Sequence, residues 1–142
     1  MPIKMRVLYN SGKKGMAEFA SAIQAKYELP VNAISGKFPP EYPCDKERIV
    51  VLAVSAKSEM PDDLRRFCGE LNKTRAYNVA LLVDGKQADA DKIADIIKAA
   101  GTNLVGVKVI TIPGFLFFGG NLTEELKADL IKWVEEMVAA CK

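Results

Sequence analysis

Two rhythms of apolar positions alternate along this chain. The first is a set of short runs that are apolar at nearly every position. Met5-Arg6-Val7-Leu8-Tyr9 reads as a strand of four or five residues. Ile49 to Val54 and Val79 to Val83 carry no polar residue at all. Strands of that kind are buried on both faces, as in the middle of a parallel sheet. Pro30 to Ile34 predicts a short second strand and Leu104 to Ile112 a fifth. The second rhythm has a helical period. Met16, Phe19, Ala20, Ile23 and Tyr27 mark one helix, and Leu64, Phe67, Cys68 and Leu71 the next. Ile93, Ile96, Ile97 and Ala100 line a third, and Leu126, Leu130, Trp133, Val134, Met137 and Val138 a fourth.

Punctuation agrees with this division. Pro30 stops the first helix, and Pro39, Pro40 and Pro43 make residues 36–45 a loop. Pro61 suits a first helical turn, with Asp62 and Asp63 beside the positive end of the helix dipole. Gly101 predicts a helix C-cap, and Thr123 an N-cap followed by Glu124 and Glu125. Buried strands alternating with helices imply an α/β fold, an open parallel sheet with helices on both faces. Its 142 residues suit one domain spanning 1–142. In such sheets ligands bind outside the carboxyl ends of the strands, where the strand order switches. That directs attention to residues 10–15, 55–60 and 84–90.

Composition narrows the chemistry. Hydrophobic residues are 49% and charged ones 27%, which suits a globular chain. The net charge of +2 is too balanced to attract nucleic acid or an anionic membrane by charge alone, so no nucleic-acid partner is expected. There is no histidine, which removes His-based triads, imidazole metal sites and phosphohistidine relays. Cys44, Cys68 and Cys141 lie 24 and 73 residues apart, not at zinc-binding spacing, and Cys68 reads as a small buried helix residue. No stretch of 18 apolar residues occurs, so no membrane span is expected and a cytoplasmic location is inferred.

The first site loop is the most informative. Ser11, Gly12, Lys13, Lys14 and Gly15 join a strand to a helix. A helix N-terminus offers free N–H groups and partial positive charge, which suits phosphate, and glycines let the backbone approach it. Residues 1–40 hold six basic and two acidic side chains, or +4, against fourteen and sixteen, or −2, in the rest. No GxGxxG follows a strand and no GxxxxGK[ST] occurs. A phospho-acceptor receiver would need acidic residues where Asn10 and Ser55 stand.

From Val7-Leu8-Tyr9-Asn10-Ser11-Gly12 through Ala20, by way of Ile49 to Phe67, to Gly114-Phe115-Leu116-Phe117-Phe118-Gly119-Gly120-Asn121-Leu122, the chain resembles the flavodoxin family, with some similarity to its protoporphyrinogen oxidase type. The resemblance covers nearly the whole length. It implies a flavodoxin-like three-layer sandwich with a five-stranded parallel sheet in the order 2-1-3-4-5. It also implies bound FMN and electron transfer with a redox partner protein. Carried onto this chain, the phosphate falls to Ser11, Gly12, Lys13, Lys14, Gly15 and Met16. The ribityl chain or ring would meet Ser55, Ala56 and Lys57, and the far side of the ring Asp84 and Gly85.

The chain departs from that family in two respects. Ser11 is the single hydroxyl in the first loop, with Lys13 and Met16 where Ser or Thr is usual. Residues 55–60 and 84–90 contain no aromatic side chain to flank a ring, although Met60 is able to pack on one. An alternative therefore stands beside the FMN carrier. It is a degenerate flavodoxin-like domain that has lost flavin and serves as an interaction module, through the Phe115–Phe118 patch and with a homodimer as one outcome. A third reading, flavin-free chemistry on a phosphorylated ligand, would rest on Asp84 or Glu59, both expected to be solvated loop charges.

Overall fold

A computed structural model describes residues 5–10, 14–27, 34–35, 46–55, 62–111 and 123–141. In chain order the elements are β1 (Met5–Asn10), α1 (Lys14–Tyr27), β2 (Ile34–Ser35), β3 (Ile49–Ser55), α2 (Asp62–Gly69), β4 (Asn78–Asp84), α3 (Gln87–Ala100), β5 (Asn103–Ile110) and α4 (Glu124–Ala140). All pairings are parallel. Four full strands, β1, β3, β4 and β5, lie side by side in that order. The two-residue β2 pairs with the outer side of β1, which gives β2-β1-β3-β4-β5. Among the described residues, four of these strands are long, and β2 is described at Ile34–Ser35 alone. The expected strand at 30–34 is present only as Ile34–Ser35, and residues 30–33 lie outside the described residues.

The all-apolar runs have a direct physical reading. A strand turns successive side chains to opposite faces, so a strand covered on both sides must be apolar at every position. Ile49, Val51 and Ala53 of β3, with Ala80 and Leu82 of β4, face a core filled by Phe19, Ala20 and Ile23 of α1 and Leu130, Trp133 and Val134 of α4. The alternate residues, Val50, Leu52, Val54, Val79, Leu81 and Val83, face Leu64, Phe67 and Cys68 of α2 and Ala90, Ile93 and Ile97 of α3. Each fully buried Leu, Ile or Val contributes about 1.5–3 kcal/mol by leaving water. Cys68 belongs to the second core, and burial pushes its thiol up to about 12. It is a packing residue, not a reactive one.

The helix ends follow their capping residues. The Thr123 hydroxyl accepts from the Leu126 N–H at 3.1 Å, starting α4. Gly101 takes φ 106°, a left-handed conformation that closes α3 without the Cβ penalty. At one edge, β5 is only partly buried and carries one extra residue: Leu104 lies opposite Val79 but Gly106 opposite Ala80. A Cβ on Gly106 would stand 2.6 Å from Met137 Sδ, so glycine lets α4 approach the sheet there.

Candidate functional site

Every strand runs the same way, so all carboxyl ends lie along one edge. Register places Asn10 of β1 beside Val54 of β3, Ser55 of β3 beside Asp84 of β4, and Asp84 beside Ile110 of β5. The two polar residues that end the apolar runs of β3 and β4 are thus neighbours. The Ser55 hydroxyl donates to Asp84 Oδ2 at 3.0 Å. Asp84 is only 5% exposed. The expectation of a solvated loop charge is corrected: Asp84 is the last residue of β4, and the pairing of β3 and β5 on either side covers it. The neighbouring loop is also shorter than expected. Residues 87–90 are already the first turn of α3, and the Gly85 N–H donates to the Ile110 carbonyl at 3.1 Å.

Of the helices that follow these strands, α1 and α3 differ in the electrostatics of their first turns. The first turn of α3 carries Asp89, whose Oδ2 accepts from the Lys86 N–H at 3.4 Å, so its dipole is answered within the chain. The first turn of α1 holds no acid. It follows β1 after three residues, at the point where the chain leaves β1 with β2 on one side and β3 on the other. That is the switch point at which open α/β sheets take ligands. Of the expected site residues, Ser55, Asp84 and Gly85 are placed at this edge, and Lys14, Gly15 and Met16 open α1. Ser11, Gly12, Lys13, Ala56 and Lys57 lie outside the described residues, as do Glu59, Met60 and Phe115–Phe118.

Among the described residues, no group of three or more Cys, Asp or Glu is disposed to hold a metal ion. Among them also, no helix is long and apolar enough to cross a membrane. No family model matches the sequence, and no curated protein matches it.

Solved structures do match. A short-chain flavodoxin associated with a non-canonical PDU bacterial microcompartment superposes with a TM-score of 0.65 over 99% of each chain, at 16% identity. The fold is flavodoxin-like. Two further structures agree with this chain over somewhat less of its length. The two-electron reduced flavodoxin of Megasphaera elsdenii gives a TM-score of 0.56 at 14% identity, over 90% of this chain and 98% of its own. The apo-form of the flavoprotein from Lactobacillus acidophilus NCFM gives 0.53 at 13% identity, over 85% and 99%. Identities this low speak to the fold alone.

Sequence reasoning named Ser55 and Asp84 separately and missed their hydrogen bond. The available signal was positional: each is the polar residue closing an apolar run, and such runs become neighbours in a parallel sheet. It missed a second polar cluster altogether. At the opposite edge of this flavodoxin-like sheet Arg6 and Glu47 are buried together, with Nε to Oε1 at 3.9 Å. Nothing in the linear run Asp45-Lys46-Glu47-Arg48 separates Glu47 from solvated neighbours.

Proposed function

We propose that this chain binds FMN at the carboxyl edge of its sheet and carries electrons to or from a partner protein. The observation that carries the reading is the three-residue passage from β1 into an α1 N-terminus with no acid in its first turn, at the switch point of a flavodoxin-like sheet. A dianionic phosphate is stabilised by free N–H groups and a positive dipole end, and repelled by first-turn acids. In this reading Ser11, Gly12, Lys13, Lys14, Gly15 and Met16 hold the phosphate, largely through backbone N–H groups. Ser55, Ala56 and Lys57 lie along the ribityl chain or ring, with Asp84 and Gly85 on the other side.

The donor set suits the group. The site has a cationic, N–H-rich end for phosphate and a hydroxyl–carboxylate pair, Ser55 and Asp84, able to meet the hydrogen-bonding edge of a flavin. When bound, FMN supplies the redox chemistry that a chain without histidine or an evident acid–base pair does not offer. The protein's part is to orient the ring and set the charge around it. Ser55 fixes the Asp84 carboxylate, and that fixed negative charge opposes added negative charge on a nearby ring.

Titration of the protein with FMN, followed by fluorescence quenching and visible absorption, tests the reading. Saturable 1:1 uptake is expected; a protein that ignores FMN overturns it. Asp84→Asn keeps an acceptor for Ser55 and removes the charge. It is expected to raise the midpoint potential of bound FMN by on the order of 50 mV, read by spectroelectrochemistry. An unchanged potential would place the ring away from Asp84.

A further inference from the structure

The end of the sheet opposite the candidate cofactor edge carries a second built feature. Just before β3 and β4, two short segments run side by side. Glu47 bridges Ala76 in parallel, and both are fully buried. The residues flanking them turn outward: Lys46 and Arg48 are exposed, Arg75 is half-buried and Tyr77 is 49% exposed. Lys73, also exposed, adjoins them in the turn before Thr74. Lys46, Arg48 and Lys73 are thus exposed cations on the same two short segments as Tyr77, the most exposed large apolar side chain among the described residues. Among the described residues of these two segments the acid is Glu47, and it is turned inward onto Arg6.

The backbone beneath this face is tied down at nearly every residue. Lys46 and Glu47 N–H groups donate to the carbonyls of Thr74 and Arg75 at 2.9 Å, and Tyr77 N–H donates to the Glu47 carbonyl at 2.9 Å. A partly buried amide relay adds to this. Asn103 Nδ2 donates to Asn78 Oδ1, and Asn78 Nδ2 donates to the Arg48 carbonyl, both at 2.8 Å. Thr102 Oγ1 donates to the Ala76 carbonyl at 2.7 Å. Among the described residues, Lys46 is also the single non-glycine with positive φ, at 53°. Left-handed backbone at a lysine is disfavoured and persists only where its surroundings hold it. A rigid platform of this kind spends little ordering entropy when it binds.

We propose that this platform docks an acidic polypeptide segment of a partner protein, its carboxylates on Lys46, Arg48 and Lys73 and an apolar side chain against Tyr77. An exposed aromatic body beside exposed cations is the composition of an interface anchor with its polar rim. A protein segment fits better than nucleic acid. The cations fill two short segments rather than a long stripe, and the whole chain is close to neutral at +2. The length of β3, seven residues, separates the platform from the carboxyl edge by about 20 Å. A partner seated here leaves the FMN edge open. The proposal is independent of flavin binding, which takes no part in its readout.

The test uses the whole protein and a fluorescein-labelled peptide of about ten residues, Glu and Asp around one central Leu, read by fluorescence anisotropy at low and high salt. Saturable binding that weakens with salt is expected. Lys46→Glu with Arg48→Glu should weaken it by at least about tenfold, and Tyr77→Ala by about threefold. Lys92→Glu with Lys98→Glu makes the same charge change on exposed positions of α3, and should stay within about twofold. If the first pair lowers the melting temperature, Lys46→Gln with Arg48→Gln replaces it, with about a fivefold loss expected. No binding by the unaltered protein, an equal loss in the α3 control, or tighter binding of a thymidine single strand of similar length would each overturn the proposal.

Discussion

Glu47→Ala is expected to cost the fold about 3–5 kcal/mol, the range for removing one partner of a buried ion pair. With a urea dependence near 2 kcal/mol per molar, typical of small proteins, the unfolding midpoint should fall by roughly 2 M. The reason lies in the burial. Glu47 is fully buried and Arg6 is 5% exposed, so removing the carboxylate leaves a guanidinium charge with little access to water. Arg6 lies in β1 beside Val50, where the sheet buries it. Arg6→Met with Glu47→Leu should recover part of the loss, because an apolar pair avoids the desolvation of two charges. A loss below about 1 kcal/mol for Glu47→Ala would mean that the pair is solvated, contrary to its burial.

The second large effect concerns the phosphate. Lys13→Glu with Lys14→Glu is expected to weaken FMN binding by about a hundredfold, or about 2.7 kcal/mol. Each reversal turns an attraction for a dianionic phosphate into a repulsion, and at several ångströms in partly solvated surroundings each is worth about 1–2 kcal/mol. The fold should not suffer. Acidic side chains at a helix N-terminus favour the dipole, and Lys14 is the first residue of α1. Isothermal calorimetry with FMN, together with a thermal melt, separates the two effects. An unchanged affinity with an unchanged melt would mean that the phosphate sits elsewhere.

The layered architecture was largely legible in the chain because it depends on local periodicity. Ile49–Val54 and Val79–Val83 are apolar at every position, and only strands covered on both faces need that. Helical stripes at Phe19, Ala20, Ile23 and at Leu130, Trp133, Val134 supplied one cover, and those at Leu64, Phe67, Cys68 and at Ile93, Ile97 the other. Thr123 and Gly101 marked helix ends because capping is chemistry between near neighbours in sequence. Where the reading was least exact, a helix start decides the outcome: the expected loop at 84–90 is cut short because α3 begins at Gln87, with Asp89 capping it there.

By itself, then, the sequence determined an alternation of buried strands and amphipathic helices, the absence of imidazole chemistry, and a cationic, glycine-bearing stretch of sequence after the first strand. Each of these is a property of one residue or of residues within a few positions of one another. Only the tertiary structure decided that Ser55 and Asp84, 29 residues apart, share a hydrogen bond at the carboxyl edge. It also decided that Glu47 turns inward to Arg6 while Lys46, Arg48 and Tyr77 face out beside it. Strand register brings these groups together, and register is settled by the summed burial of whole strands rather than by the polar residues at their ends.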